Sequence, residues 1–326
     1  MGTTQTQGRV KDSSNTNIQQ VPLLEVKDLS ISFKQYHEGL RETTLKVIKG
    51  LDLTIEQGEI VAVVGASGSG KSLLANAILG ILPEHATLTG SISYNGEPLD
   101  SQRQSSARGN EIALIPQSVN SLDPLMKTGK QVRRAVKTKM KKRIQRDAFK
   151  KVGLATDVEN KYPFQLSGGM ARRVLVATAM GSGAKLVIAD EPTPGLDVRA
   201  LKETVRHIRQ LADEGKGIML ITHDIETALA VADKVAVFYA GTTVEIAKSE
   251  DFTGKGEALR HPYTKALWNA LPQNGFTPLR GSQPLPDEGI KGCLFEPRCS
   301  LATTACSKTH PDSVPLRGGM VRCFHA

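Results

Sequence analysis

The amino-acid sequence predicts an α/β protein with a doubly wound parallel sheet, and three features of its apolar pattern support this prediction. Short continuous apolar runs recur along the 326-residue chain, helical patterns separate several of them, and alternating strands precede them. Continuous apolarity is typical of strands that are buried on both faces of a parallel sheet. The predicted core strands are IVAVV (60–64), IALI (112–115), LVIA (186–189), IMLI (218–221) and VAVFY (235–239).

The segments around these runs complete the predicted architecture. Residues 72–82 and 198–215 have helical apolar spacing, and alternation of strands with helices favours a doubly wound core. Before the core, residues 23–33 and 45–59 alternate apolar and polar side chains, which predicts an N-terminal antiparallel β subdomain with one wet face. Residues 120–182 contain no comparable strand run. We therefore expect an inserted α-helical subdomain there.

Composition sets the limits of the predicted domains. The chain is 39% hydrophobic and 23% charged, which is typical of a globular protein, and its apolar runs are too short to span a bilayer. The polar segment 1–21 has no apolar signal core and is predicted to be a disordered leader of a cytosolic protein. Glycine and proline mark residues 273–290 as a linker. A small cysteine-containing C-terminal extension follows at 291–326.

Positive charge is concentrated in one segment. The net charge is +9, and residues 131–151 contain ten Lys or Arg side chains and one acid. Such a run is most often a solvated helix face. A nucleic acid, a membrane surface or an acidic protein partner would also match the charge. The segment has a single aromatic residue, Phe149, and so offers little that could stack on successive bases, which disfavours single-stranded nucleic acid.

The segment GASGSGKS (65–72) fits the phosphate-loop pattern and follows a predicted strand. Its glycines let backbone N–H groups turn towards phosphate oxygens, and the following helix points its positive end at them. Lys71 is expected to reach the β- and γ-phosphates, and Ser72 to hold Mg²⁺. This motif predicts a phosphate-loop, RecA-like core. Its nucleotide-binding residues are Gly65, Ala66, Ser67, Gly68, Ser69, Gly70, Lys71 and Ser72.

Two acids end the strand LVIADEP (186–192). This position places Asp190 at the carboxyl edge of the sheet, where ligands bind in such folds. Asp190 is expected to bind Mg²⁺, as the second acid of phosphate-loop enzymes does. Glu191 is then placed to polarise the attacking water.

The stretch QLSGGMARR (165–173) has no side chain suited to acid, base or nucleophilic chemistry. Taken alone, it predicts a helix that Ser167 caps and that enters a core through its apolar run. A second interpretation follows from four further motifs, which occur in a fixed order around it. They are Gln117 after IALIP, the strand LVIADEP, GLD (195–197) and THD (222–224).

Together these motifs resemble the ATP-binding subunits of ABC transporters over residues 22–272. The resemblance implies that LSGGM closes over the γ-phosphate of ATP bound to a second subunit, so that two subunits pair head to tail around two ATP molecules. Backbone N–H groups, a hydroxyl and a helix dipole then do the binding, which needs no reactive side chain. The residues acting in trans would be Leu166, Ser167, Gly168, Gly169, Met170 and Asp197, the last by linking the two sites.

The same resemblance assigns the remaining roles. Gln117 would contact Mg²⁺ and the attacking water and sense the membrane partner, so that Ser72, Gln117 and Asp190 surround the ion. His223 would contact the γ-phosphate and fix the geometry around Glu191. An aromatic side chain before the phosphate loop would stack on adenine, and Phe33 and Tyr36 are both candidates.

Further motifs resemble the subgroup that serves oligopeptide, dipeptide and nickel importers. They are YPFQLSGGM (162–170), LDPLMKTGKQV (122–132), HPYTKAL (261–267) and GCLFEPRCSLATTAC (292–306). This chain departs from the pattern at Met170 and Arg172, where Gln is usual, in EPTPGLD, and in GSGAK, which lacks the usual Pro. None of these departures removes a catalytic group.

The resemblance implies an ATPase on the cytoplasmic face of the membrane that drives peptide import, with nickel or a metal complex as the alternative cargo. Its partners would be two transmembrane permeases, an identical or related second ATPase subunit and an extracytoplasmic substrate-binding protein, without direct nucleic-acid contact. The rival hypotheses are a soluble ABC-type ATPase that acts on nucleic acid or ribosomes, and a regulator that binds ATP without hydrolysis. Soluble ATPases of the first kind usually carry two cassettes in one chain or a long coiled-coil insertion, and this sequence shows neither. The intact Glu191 and His223 argue against a regulator that does not hydrolyse ATP.

The chain has four cysteines, Cys293, Cys299, Cys306 and Cys323, with five, six and sixteen residues between successive members. A cytosolic compartment disfavours disulfides, so metal binding is the alternative to reduced, inert thiols. Zinc usually takes close Cys pairs, which are absent here. Four thiolates on wider loops suit an iron–sulfur cluster at least as well as zinc. The subgroup resemblance also favours a [4Fe–4S] cluster. His325 is a spare candidate ligand.

Overall fold

The computed structural model describes residues 21–37, 41–193, 198–286 and 288–326. Almost all of the predicted leader lies outside the described residues, as does Asp197, and the side chain of Tyr36 is not described. In this part of the chain, no helix has both the length and the apolar character needed to cross a bilayer.

Strands and helices alternate along most of the chain. The strands are β1 (Leu24–His37), β2 (Arg41–Ile55), β3 (Ile60–Gly65), β4 (Ala86–Tyr94), β5 (Glu97–Pro98), β6 (Ile112–Ile115), β7 (Leu186–Asp190), β8 (Gly217–Ile221), β9 (Lys234–Tyr239), β10 (Thr242–Lys248), β11 (Val314–Leu316) and β12 (Gly319–Val321). The α-helices are α1 (Lys71–Leu79), α2 (Ser101–Ala107), α3 (Thr128–Ala135), α4 (Lys141–Lys151), α5 (Gly168–Ser182), α6 (Val198–Asp213), α7 (Ile225–Leu229), α8 (Pro262–Asn269) and α9 (Thr304–Lys308).

The larger sheet contains all five predicted core strands. Its order is β11-β12-β10-β9-β3-β8-β7-β6, and the neighbours from β9 to β6 are parallel. Every residue of β3 and β8 is buried, as continuous apolarity predicts. Leu114 of β6 is an exception at 37% exposure, because β6 is the edge strand of this sheet. The predicted parallel core is therefore confirmed.

The smaller sheet is antiparallel and forms the predicted N-terminal β layer. Its order is β2-β1-β4-β5. Alternate residues of β1 and β2, such as Leu29 and Leu53, are buried, and they pack with α1 and with one face of β3. This second core joins the two sheets and fixes the strand that leads into the phosphate loop.

Residues 120–182 form α3, α4 and α5 together with short 3₁₀ segments, and no strand occurs among them. Val132, Phe149 and Val174 are buried, one on each helix, while the cations of α4 lie on its exposed side. This segment is the inserted helical layer that the sequence predicted. The exposure of the cations agrees with the interpretation of a solvated helix face.

The C-terminal extension packs onto the larger sheet. β12 pairs with β10, and Leu294 and Phe295 enter the main hydrophobic core. Arg322 pairs with Asp52 of β2 at 2.5 Å. The extension is therefore held by tertiary contacts with the rest of the chain, as expected for a segment too small to build its own core.

Candidate nucleotide-binding site

The phosphate loop connects β3 with α1 at the carboxyl edge of the larger sheet. A Cβ atom at Gly65 would overlap the carbonyl oxygen of Phe238, so the close approach of β9 requires glycine there. Gly70 caps α1 with φ 99°, a left-handed conformation that side chains rarely adopt. The first N–H groups of α1 therefore point out of the sheet towards the loop, where anions bind.

Lys71 lies in the first turn of α1 and is largely buried. Its Nζ donates hydrogen bonds to the carbonyl oxygens of Gly65 at 2.9 Å and Ala66 at 3.0 Å. Burial lowers the pKa of Lys71, while the nearby charges of Glu191 and Asp190 raise it. These contacts keep a cation at the mouth of the loop, where it can bind phosphate oxygens.

Ser72 and Asp190, two of the residues expected to hold Mg²⁺, lie next to each other. The Ser72 hydroxyl donates to Asp190 Oδ1 at 3.4 Å. Burial raises the pKa of Asp190, the Ser72 hydrogen bond lowers it, and the charge of Glu191 raises it. A partly buried carboxylate beside a second acid binds a divalent cation favourably because the cation relieves both effects.

Glu191, Gln117 and His223 meet just beyond the carboxyl ends of three neighbouring strands. Gln117 Nε2 donates to Glu191 Oε2 at 3.0 Å, and His223 Nδ1 lies 3.4 Å from Glu191 Oε1. These residues follow β6, β7 and β8, which are adjacent and parallel in the sheet. Glu191 adopts φ 42°, and its N–H donates to the carbonyl of Ile221 at 2.9 Å. A strained backbone at this position aims the carboxylate at the two partners.

Most of the predicted catalytic and phosphate-binding residues line one pocket. Its volume is about 590 Å³, within the range of small-molecule sites. Its lining residues are Val47, Ser67, Gly68, Gly70, Lys71, Ser72, Leu73, Gln117, Glu191 and His223.

The wall formed by Val47 was missed by the sequence analysis. The alternating pattern of β2 places Val47 on the opposite face from the buried Ile48, but it does not indicate that the face of Val47 lines a ligand pocket. The candidate Phe33 contacts the ring of His85, with centroids 5.6 Å apart, and is not among the lining residues. The role of either aromatic candidate at adenine stays a prediction.

The signature segment does not line this pocket. Ser167 caps α5, because its hydroxyl accepts from the N–H of Met170 at 3.3 Å, as the local pattern predicted. Ser167 and Gly168 are exposed, and a side chain at Gly168 would meet nothing within 4 Å. None of residues 166–170 is among the described residues that line the pocket. The segment is open to a second molecule.

The four cysteines approach one another in the C-terminal extension. Burial, with a smaller contribution from the charges of the other three thiols, raises the pKa of Cys293 to about 11. Cys306 Sγ lies 3.6 Å from His325 Nε2. Within the described ranges, however, no group of three or more His, Cys, Asp or Glu side chains is arranged to hold a metal ion.

This fold and this pocket define a phosphate-loop ATPase of the ATP-binding-cassette class. Residues 48–194 match the ABC transporter family, and residues 244–306 match the C-terminal region of oligopeptide/dipeptide transporters. The chain is 35% identical to the oligopeptide transport ATP-binding protein AppD of Bacillus subtilis, over 93% of this chain and 96% of that protein. It is also 35% identical to the dipeptide transport ATP-binding protein DppD of Escherichia coli, over 91% and 94% of the two chains.

Solved structures support the same assignment. A post-hydrolysis dimer of the ATP-binding cassette MJ0796, bound to ADP and Pi, is 25% identical with a TM-score of 0.61, over 69% of this chain and 98% of that one. The chain belongs to the family of ATP-binding subunits of oligopeptide and dipeptide ABC transporters, as its sequence motifs predicted. It is therefore an ATPase.

Proposed function

We propose that this chain is the ATP-hydrolysing motor of an importer that takes up peptides through partner permeases in the membrane. The contact of Gln117 and His223 with Glu191, beside Lys71 and the Ser72–Asp190 pair, carries the proposal. The printed functions of its relatives, oligopeptide and dipeptide transport, support peptides as the cargo. Nickel or a metal complex is the alternative cargo from the sequence motifs.

The residues of the site divide the work of ATP hydrolysis into phosphate binding, proton acceptance and positioning of the Glu191 carboxylate. The phosphate loop and Lys71 bind the β- and γ-phosphates, which places the γ-phosphorus before Glu191. Glu191 accepts a proton from water as the water oxygen attacks the γ-phosphorus, and the bond to the bridging oxygen breaks to release ADP. Gln117 and His223 hold the carboxylate in place, since each contacts one of its two oxygens.

Ser72, Asp190 and Gln117 are proposed to hold Mg²⁺. Their hydroxyl, carboxylate and amide oxygens form the hard donor set that this ion prefers. When bound, the ion supplies charge that stabilises the phosphate oxygens. The 3.4 Å separation of Ser72 Oγ from Asp190 Oδ1 supports this fit.

The signature segment is proposed to act on ATP bound to a second subunit. Its exposure and the fact that none of its described residues lines the pocket of its own chain support this arrangement, as does likeness to a dimeric cassette. Residues 166–170 would offer N–H groups and the Ser167 hydroxyl, and Asp197 would link the two sites. The second subunit is an identical or related ATPase.

We further propose a peripheral position on the cytoplasmic face of the membrane. The partners there are two transmembrane permeases, which receive cargo from an extracytoplasmic binding protein. Membership of a transporter family disfavours the rival role on nucleic acid or ribosomes.

The decisive experiment is reconstitution of the chain with its permeases and binding protein in vesicles. Peptides are expected to raise ATP hydrolysis and to accumulate inside, and both effects should vanish with Glu191→Gln. Stimulation by nickel complexes but not peptides would favour the alternative cargo. ATP hydrolysis that ignores both cargo and permeases would contradict the motor role.

The four cysteines are proposed to hold a structural [4Fe–4S] cluster that steadies contact with the partner ATPase and takes no part in hydrolysis. The influence of the other three thiol charges on Cys293 supports this proposal, whereas the described residues do not form a group arranged to hold a metal ion. Protein purified without oxygen should be brown and contain about four irons per chain. Colourless protein with one zinc, or with four titratable thiols and no metal, would refute the cluster.

A further inference from the structure

Arg172 lies in the second turn of α5, five residues beyond the Ser167 cap, and is only 4% exposed. Its guanidinium reaches out of the helical layer to the segment after β6. Nη1 donates to the carbonyl oxygen of Pro116 at 2.7 Å, and Nη2 donates to that of Gln117 at 2.6 Å. One planar group thus holds two consecutive peptide carbonyls.

The burial of this cation is costly. No carboxylate of the described residues forms an ion pair with Arg172, and burial alone lowers its pKa. Its third nitrogen, Nε, is buried and makes no hydrogen bond within the described structure. A buried charge that is compensated only by carbonyl dipoles lowers stability relative to an apolar side chain of similar size. Stability of the fold therefore does not explain Arg172.

The position of Gln117 suggests what the contact does. The backbone carbonyl of Gln117 accepts from Arg172, and its side chain donates to Glu191 at 3.0 Å. The helix that begins with the signature segment is in this way connected to the proposed catalytic carboxylate through one intermediate residue. A guanidinium is suited to this task because its rigid fork fixes the relative orientation of two acceptors.

We propose that Arg172 is a positioning residue, which couples the signature helix to Gln117 and so to Glu191. When the signature segment closes on the nucleotide of the second subunit, α5 moves Pro116 and Gln117 with it, and Gln117 then orients Glu191 in the chain's own site. Nucleotide closure at one ATP site therefore changes the catalytic geometry of the other. The inference rests on the proposed function.

The adjacent Arg173 shows that a cation close to the signature segment does not necessarily contact Gln117. Arg173 Nε donates to the Gly169 carbonyl at 3.3 Å, and Nη1 donates to that of Gly153 at 3.2 Å. These two hydrogen bonds stay within the helical layer, and the ion pair of Arg173 with Glu203 of α6 at 3.8 Å does not reach Gln117 either. Gln at position 172, usual in the resembling sequences, carries both of its donors on one nitrogen and lacks the rigid two-nitrogen fork with which Arg172 holds the two carbonyls.

The test compares Arg172→Met and Arg172→Lys in the full chain, with Arg146→Gln as a matched control. Arg146 lies in the same helical layer, forms an ion pair with Glu159 at 2.8 Å and does not line the nucleotide pocket. We expect Arg172→Met to lower kcat about five- to thirty-fold, the upper part of the range for residues that transmit coupling. The Kd for ATP should stay within about threefold, since Arg172 touches no phosphate-binding residue.

Arg172→Lys should recover part of the loss, because the ammonium keeps the charge and the donors but lacks the planar fork that fixes the orientation of both carbonyls. The control should keep kcat within about twofold, as expected for a partly exposed ion pair. Should Arg172→Met fail to fold, the comparison of Arg172→Lys with wild type decides: a lowered kcat at unchanged Kd supports the role, and an unchanged kcat refutes it.

A double-mutant cycle separates positioning from a merely structural effect. If Arg172 acts through the Gln117 side chain, adding Arg172→Met to Gln117→Ala should change kcat by less than about twofold. Losses that multiply in the double variant would overturn the inference. Lack of ATP turnover in the wild type would overturn the proposed function and this inference with it, whereas normal turnover in Arg172→Met would overturn this inference alone.

Discussion

Replacing Glu191 with Gln tests the chemistry of the site with the least disturbance of its geometry. The substituted side chain keeps its length, and its oxygen can still accept the 3.0 Å hydrogen bond from Gln117 Nε2. The backbone cost of φ 42° is the same for Gln as for Glu. What is removed is the negative charge and the ability to accept a proton. The fold should therefore be retained, with a change in the free energy of unfolding below about 0.5 kcal/mol.

The expected kinetic loss follows from the role of a general base. Such groups contribute about 10²–10⁴ in rate, which corresponds to roughly 2.7–5.4 kcal/mol of activation free energy. The Kd for ATP should stay equal or fall, because one negative charge near the triphosphate is lost. The closed dimer should then persist, since bound ATP is not consumed.

The assay is steady-state phosphate release at saturating MgATP, together with fluorescent-nucleotide titration and light scattering. Glu226→Gln is the matched control. Glu226 is exposed in the first turn of α7, and its backbone contact with Asp224 is kept on substitution. The control should retain normal turnover. A kcat for Glu191→Gln within about threefold of wild type, at saturating ATP, would remove Glu191 from the role of base.

Three further predictions concern binding, pairing and pH. Lys71→Ala should weaken ATP binding by about 1.5–3 kcal/mol, the usual value for a hydrogen bond to a charged group, and an unchanged Kd would contradict its phosphate contact. Ser167→Arg should leave nucleotide binding intact but block dimer closure and hydrolysis, with a loss of about 1 kcal/mol of stability from the missing helix cap; normal turnover would refute action in trans. Burial lowers the pKa of His261 from 6.5 to about 3. Because the unfolded chain then binds more protons below pH 6.5, His261 should reduce stability progressively as the pH falls from 6.5 towards 3, by about 1.4 kcal/mol per unit and about 2 kcal/mol at pH 5. His261→Asn can keep the cap to the Tyr263 N–H. In denaturant unfolding, its free energy of unfolding should fall less between pH 7.5 and pH 5 than that of the wild type; an equal fall in both proteins would contradict this.

The sequence alone determined the elements whose signals are local. Continuous apolar runs marked the parallel strands, because a strand buried on both faces has no polar positions to alternate. Glycines around Lys71 marked the phosphate loop, since only a loop of that composition can wrap backbone N–H groups around an anion. The Ser167 cap and the acids after β7 were likewise visible in short stretches of sequence. Recognition of the family depended on the order of these local motifs.

The tertiary structure decided which distant residues meet. Gln117, Glu191 and His223 are far apart in sequence and converge because β6, β7 and β8 are neighbours in the sheet. The packing of the C-terminal extension on β10 and the wall at Val47 also depend on strand pairing that no local pattern encodes. Arg172 is the clearest case: as sequence it was only a departure from the usual Gln, whereas its two carbonyl partners come from a segment more than 50 positions earlier. Contacts between distant segments are set by the packing of the whole chain, and for that reason the coupling across this site could be seen only in three dimensions.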